Sequence, residues 1–280
     1  MRSIRVPPLL VPLVLLAALP GCGGASRPTS ADRHQSQIAI FDDTPQIHGD
    51  GPVTTVIMID RTPLLDGDPK VANGYVQAGL RFATPTITRG GHLVVQAFGR
   101  VSGHPVTLLS STLPTLAQAG PAARDDAGQM RLLERVLRVG VGLDPPPSTT
   151  VASYLADLTS SAGSDISRAV VAGIAEAAAS PVTQRNVLIE TDGWAFEADR
   201  LSLARILANH PPSVAAASLA QAAGAALPAS ARASLLRMVG LGYTSGRPDP
   251  TPTKLDALVA TWRGVCATLP VASCDVASDF

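Results

Sequence analysis

Three short stretches of this sequence hold the residue types from which an oxygen-donor cation site is built. Asp60-Arg61-Thr62 follows a strongly apolar run, Gly163-Ser164-Asp165 stands at the head of a helical pattern, and Thr191-Asp192-Gly193 follows a second apolar run. A hard divalent cation such as Mg²⁺ takes such ligands: carboxylate and hydroxyl oxygens, few protein charges and several retained waters. The candidate donors are Asp60, Thr62, Ser164 and Asp192. The same residue types also have local structural uses. Asp and Thr cap turns, Ser begins helices, and Asp-Gly is a common turn pair.

For donors so far apart in sequence to meet, the elements before them must converge. Val53–Ile59 (VTTVIMI) is β-branched and apolar, the pattern of a strand buried on both faces, and it ends at Asp60. A helical spacing follows over 71–82. A second strand is expected over His92–Phe98, and Val106–Leu109 forms a hairpin with it across the turn at Ser102–Pro105. Helical spacing returns over 130–139 and over 165–179, the latter capped by Ser164 and stopped near Pro181. Asn186–Thr191 (NVLIET) is another buried strand, ending at Asp192. Helices are expected over 198–208 and 215–226, a last strand over 235–243 and a closing helix over 254–266. This alternation predicts an α/β fold: a doubly wound, mostly parallel central sheet with helices on both faces, in one domain. In such a sheet, ligands bind beyond the carboxyl ends of the strands, where the connections diverge. Asp60, Thr62, Ser164 and Asp192 all fall at that end.

These residues carry a family resemblance. Asp60-Arg61-Thr62, Gly163-Ser164-Asp165 and Thr191-Asp192-Gly193, in this order and strand-loop context, resemble the von Willebrand factor type A (VWA) domain and its metal-ion-dependent adhesion site. The resemblance covers about residues 53–280. It implies a Rossmann-like sheet and a divalent cation with an open coordination position, filled by a partner protein's carboxylate or other oxygen donor. In the family's Asp-x-Ser-x-Ser motif, Asp60 and Thr62 match the first two ligand positions, and Leu64 stands at the third. Ser164 matches the family's loop threonine and Asp192 its late aspartate. One direct ligand is therefore missing from the pattern, and Asp66 and Asp68 are the nearest further oxygen donors. Trp194, after the Asp-Gly turn, is either a contact aromatic at the rim or partly buried packing, and Trp262 is expected in the core.

Other chemistries find no match. The chain has no nucleophile elbow and no phosphate-binding Walker loop. Gly240-Leu241-Gly242 with Gly246 misses the dinucleotide fingerprint by one residue. His34, His48, His92, His104 and His210 show no metal-binding spacing. Asp60-x-Thr62 lacks the second aspartate of a haloacid-dehalogenase-type phosphatase. Nothing argues for catalysis, so the expectation is a protein that is not an enzyme.

Length and composition agree with a folded, exported chain. Its 280 residues are 46% hydrophobic and only 16% charged, enough for a sizeable core and unlike a disordered chain. Twenty-two basic residues balance 22 acidic ones, which argues against nucleic acid as a partner. Arg2 and Arg5 precede the apolar run Val6–Leu19, which as a helix spans about 21 Å, short of a bilayer core of about 30 Å. Residues 1–21 thus read as an export signal. Leu19-Pro20-Gly21-Cys22 resembles the bacterial lipobox, which implies lipidation at Cys22 and a membrane anchor on the extracytoplasmic face of the cell envelope. Residues 22–52 read as a flexible tether whose patch Ile38–Phe41 is either part of it or an edge strand; residues 53–280 form the VWA-like domain. With Cys22 lipidated, Cys266 and Cys274 remain as a pair in an oxidising compartment, and a disulfide is the simplest outcome. The function expected is an adhesion-type, protein-binding lipoprotein. A metal-assisted hydrolase on the same carboxylates, or a solute-binding lipoprotein, are the alternatives.

Overall fold

The computed structural model of the chain describes residues 50–64, 68–99, 105–120, 124–158, 164–195, 202–224, 227–243 and 249–280. The signal segment 1–21, Cys22, the tether as far as residue 49, and Asp66 lie outside these. Strand β1 (Val53–Asp60) is buried at every position, as its unbroken apolar run requires. It pairs in parallel with β2 (Gly91–Phe98) on one side and β4 (Gln184–Glu190) on the other. Strand β5 (Ala233–Val239) extends the sheet in parallel from β4, and β6 (Val271–Val276) from β5. Strand β3 (Val106–Leu113) pairs antiparallel with β2, as the hairpin reading expects, and is four residues longer than the apolar run. The sheet order is β3-β2-β1-β4-β5-β6, so the topology turns from one direction to the other between β1 and β4.

Helices pack on both sides. Helices α1 (Pro69–Arg89) and α3 (Asp126–Gly140) bury Tyr75, Phe82, Leu133 and Leu137 against Ile57, Ile59 and Val95. The short α2 (Leu116–Ala119) joins β3 to α3. Helix α4 (Thr149–Leu158) sets Leu155 and Leu158 against Ala97. On the opposite face, α5 (Ile166–Ala179), α6 (Leu203–Asn209), α7 (Pro212–Gly224) and α8 (Pro252–Cys266) enclose Val56, Met58, Val187 and Met238, with Trp262 fully buried among them. Adjacent residues of β1 thus feed two separate cores, because successive side chains of a strand point to opposite faces. The buried threonines of β1 are satisfied: Thr54 donates to Ser180 Oγ at 2.7 Å, and Thr55 shares a hydrogen bond with Thr86 at 2.6 Å.

The elements depart from the sequence expectations at identifiable points. Helix α1 continues through Pro85 to Arg89, since buried Thr86 and Ile87 hold its last turns to the sheet. Helix α4 and strand β6 have no counterpart in the sequence reading. The last strand stops at Val239, and Gly240–Tyr243 form a turn. Ser164 is not the cap of α5: Asp165 fills that role, its Oδ1 accepting from Arg168 N at 3.2 Å. Asp68 likewise caps α1, accepting from Lys70 N at 2.8 Å. Cys266, the last residue of α8, is bridged to Cys274 on β6, tying the edge strand to the helix before it. Among the described residues no helix is long and apolar enough to cross a membrane.

Because the two cores lie on opposite faces, their losses should add. Ile87→Val in the α1 core and Ile174→Val in the α5 core are each expected to cost about 0.5–1.5 kcal/mol. The double variant should match their sum within about 0.5 kcal/mol in urea unfolding. A coupling well beyond that would mean the cores communicate through the sheet.

Candidate functional site

The carboxyl end of β1 delivers Asp60 into the interior, with no exposure to solvent. Its neighbour β4 ends at Glu190, so Thr191 and Asp192 emerge beside it at the point where the topology changes direction. The Ser164 segment is drawn to the same place by a parallel bridge between Ser164 and Ala195. Three turns distant in sequence thus meet around one carboxylate. Asp60 Oδ1 accepts from Thr62 N at 3.0 Å and from Ser164 Oγ at 2.6 Å. Asp60 Oδ2 accepts from Thr191 Oγ1 at 2.7 Å.

These three donors use most of what a carboxylate offers, since each oxygen carries two lone pairs. Oδ1 is filled, and Oδ2 keeps one acceptor position. Ser164 spends its proton on Asp60 and retains its own oxygen lone pairs. Asp192 is nearly buried, at 8% exposure. Its Oδ1 accepts from Trp194 N at 3.0 Å, and its carbonyl accepts from Gly242 N at 2.8 Å. The turn that carries it needs Gly193: φ is +77°, and a Cβ there would stand 2.5 Å from Leu241 Cδ2. Trp262 closes the turn from below, its Nε1 donating to Gly193 O at 2.9 Å. Trp194 is half-buried and packs against the α5 core.

Burial and neighbouring acidic groups dominate the electrostatics. Burial, and next the charge of Asp192, push Asp60 from 3.8 up to about 7, against the pull of its bonds from Ser164, Thr191 and Thr62. Glu190, fully buried, has no hydrogen-bond partner on either oxygen, and burial raises it well above the usual carboxylate range. Its Oε1 lies 3.1 Å from where a Cβ on Gly79 would sit, one helical turn along α1 from Tyr75. The Tyr75 hydroxyl, also buried without a partner, is raised by burial and then by Asp192, Asp60 and Glu190. The ring of Phe280 covers that of Tyr75 at 5.3 Å between centroids. Arg61, although adjacent in sequence, turns away and donates to the carbonyls of Val139 and Gly140 at the end of α3.

The structure therefore joins Asp60, Thr62, Ser164 and Asp192 in one neighbourhood. The leucine at the missing ligand position is committed elsewhere, since Leu64 is buried in the α1 core. The sequence reading passed over Thr191 and Glu190. Glu190 had a visible signal, a carboxylate inside an otherwise apolar run, whereas Thr191 had none beyond its place in the Thr-Asp-Gly motif. Among the described residues, no three of His, Cys, Asp and Glu group as metal ligands, so a cation here would rest on two carboxylates and on hydroxyl oxygens.

No protein-family model matches the chain, and no curated protein matches it. Among solved structures it is similar to a mutant of the PilB minor pilin from Streptococcus sanguinis, with a TM-score of 0.41 and 9% identity. That overlap covers 84% of this chain and 59% of the pilin chain, so the chain spans less than two thirds of that protein's length.

The raised Asp60 sets a direction for stability. The folded state keeps the proton up to about pH 7, whereas an unfolded aspartate loses it near 3.8. Its protonation therefore favours the folded state at low pH, and that contribution is lost as pH rises from about 4 to about 7. In EDTA, Tm is expected to fall across this window, and Asp60→Asn should flatten the fall. A Tm that climbs over the same interval would contradict the buried, charge-crowded carboxylate.

Proposed function

We propose that this chain is a membrane-anchored, extracytoplasmic binding module with a VWA-like, doubly wound sheet, which recognises a partner protein through a divalent cation. The observation that carries the reading is the convergence on Asp60 of Ser164 and Thr191 from two distant loops, with Asp192 close enough to raise its pKa. The sheet order, with its one antiparallel strand at the β3 edge, is in keeping with it. So is the resemblance of the three motifs to the metal-ion-dependent adhesion site. Support for the anchor comes from the sequence, in the lipobox-like Leu19–Cys22 and the short apolar run before it.

The residues fit a hard cation. Every donor is an oxygen, and two buried carboxylates, Asp60 and Asp192, lie near enough for the charge of one to raise the pKa of the other. Asp60, Thr62, Ser164 and Asp192 would hold the ion, either directly or through water. When bound, a cation of this kind supplies a positive centre with an open coordination position for a partner's carboxylate. The chain's own part is orientation: Asp60 aligns the Ser164 hydroxyl and the Thr62 backbone, and the Gly193 turn presents Asp192. With Leu64 withdrawn into the core, the protein contributes one hydroxyl fewer than the full adhesion motif. Weaker cation binding follows, with more of the coordination left to water and partner.

Thermal unfolding in EDTA, Mg²⁺, Mn²⁺ and Ca²⁺ tests this. A cation at 100 times its dissociation constant should stabilise the fold by about 2.7 kcal/mol. Asp60→Ala and Asp192→Ala should each abolish that gain. An unchanged Tm of the parent protein across all four conditions would end the cation reading.

A further inference from the structure

Thr191 stands directly after β4, fully buried, and its hydroxyl has two bonds. Oγ1 donates its proton to Asp60 Oδ2 at 2.7 Å, and the same oxygen accepts from Gly193 N at 3.1 Å. Its backbone N donates to Val239 O at 3.1 Å, which fixes where the hydroxyl stands relative to the sheet. One side chain thus bonds both to the first carboxylate of the site and to the turn that carries the second. Asp60 belongs to the strand and does not move without it. Asp192 is on a turn, and turns yield more readily than sheets. Other bonds hold that turn, from Gly242 N to Asp192 O and from Trp262 Nε1 to Gly193 O, but the Thr191 hydroxyl is what joins it to the Asp60 carboxylate.

We propose that Thr191 is the positioning residue of the cation site. Its hydroxyl fixes the separation between the carboxylates of Asp60 and Asp192, and Thr191 is not itself a ligand. The assignment rests on the cation reading above. Its proton is committed to Asp60 and one of its two lone pairs to Gly193, which leaves a single acceptor position, whereas Ser164 donates once and keeps both lone pairs. Partners that orient the ligands of a metal, without touching it, commonly govern affinity tenfold to a hundredfold. Thr191→Val keeps the shape and the buried volume but removes both bonds. Thr191→Ser keeps the hydroxyl and loses only a methyl group.

The test is a Mn²⁺ titration of the full-length protein, with free Mn²⁺ followed by its electron paramagnetic resonance signal and folding by circular dichroism. Thr191→Val is expected to bind at least tenfold more weakly than the parent while remaining folded, and Thr191→Ser to bind within about threefold. A valine variant that binds as tightly as the parent overturns the assignment and leaves the cation reading standing. So does a serine variant that loses as much as valine, because the hydroxyl is then not what matters. If valine does not fold, Thr191→Ala takes its place in the comparison. If serine loses binding on its own, that also decides against the assignment. A parent protein that leaves all Mn²⁺ free at millimolar concentration overturns the cation reading and this inference together.

Discussion

A carboxylate at the end of the central strand, wholly removed from water, is the constraint around which the upper edge of this molecule is built. An ionised group in that position is unfavourable unless hydrogen bonds or an opposite charge compensate it. Asp60 receives three hydrogen bonds, from Thr62, Ser164 and Thr191, and no cationic side chain approaches it among the described residues. The nearest arginine in sequence, Arg61, serves the end of α3 instead. The compensation is therefore incomplete, and the residual cost is visible in a pKa near neutrality. Placing Asp192 beside it deepens the deficit. A fold stabilised only for its own sake would gain from an apolar residue at either position. Retaining both acids makes sense if positive charge is delivered from outside.

The topology explains why the acids meet. Strands β1 and β4 are neighbours, yet the helices that follow them pack on opposite faces of the sheet, so the segments after both strands start from one shared end. The Ser164 segment reaches this end just before α5 begins, and its side chain bonds to Asp60 while Asp165 caps the helix. Below lies a second tier of buried polarity, Glu190 and Tyr75, without partners of their own and near enough to share in the same negative field. The Asp192 turn is held from beneath by Trp262 and from the side by Gly242, which links the site to the α8 core and to the turn after β5.

Much of this was legible from residue types. Val53–Asp60 and Asn186–Glu190 announced themselves as central strands because both faces are buried and few polar residues interrupt them. Asp60 and Asp192 could be placed at one end of the sheet for the same reason. What escaped followed local rules poorly. Strand β6 lies at the edge and carries Ser273, Cys274 and Asp275, so no apolar alternation marks it. Helix α1 runs through a proline that sequence rules treat as a stop, because tertiary burial of Thr86 and Ile87 outweighs the lost bond. Ser164 and Asp165 are both good caps, and it is the position of Asp60 beside Ser164 that decides which one caps. The double role of Thr191 is invisible in one dimension, since each of its partners is defined only once β1 and β4 are adjacent.

The central claim is that the turns at Asp60, Ser164 and Asp192 together form a seat for one divalent ion. Anomalous scattering from a crystal of this protein soaked in Mn²⁺ addresses it most directly. The account predicts a single strong peak bounded by Asp60, Thr62, Ser164 and Asp192, with at least one water completing the coordination shell. Mn²⁺ found only at surface acids elsewhere, with no peak beside Asp60 at saturating concentration, would contradict it.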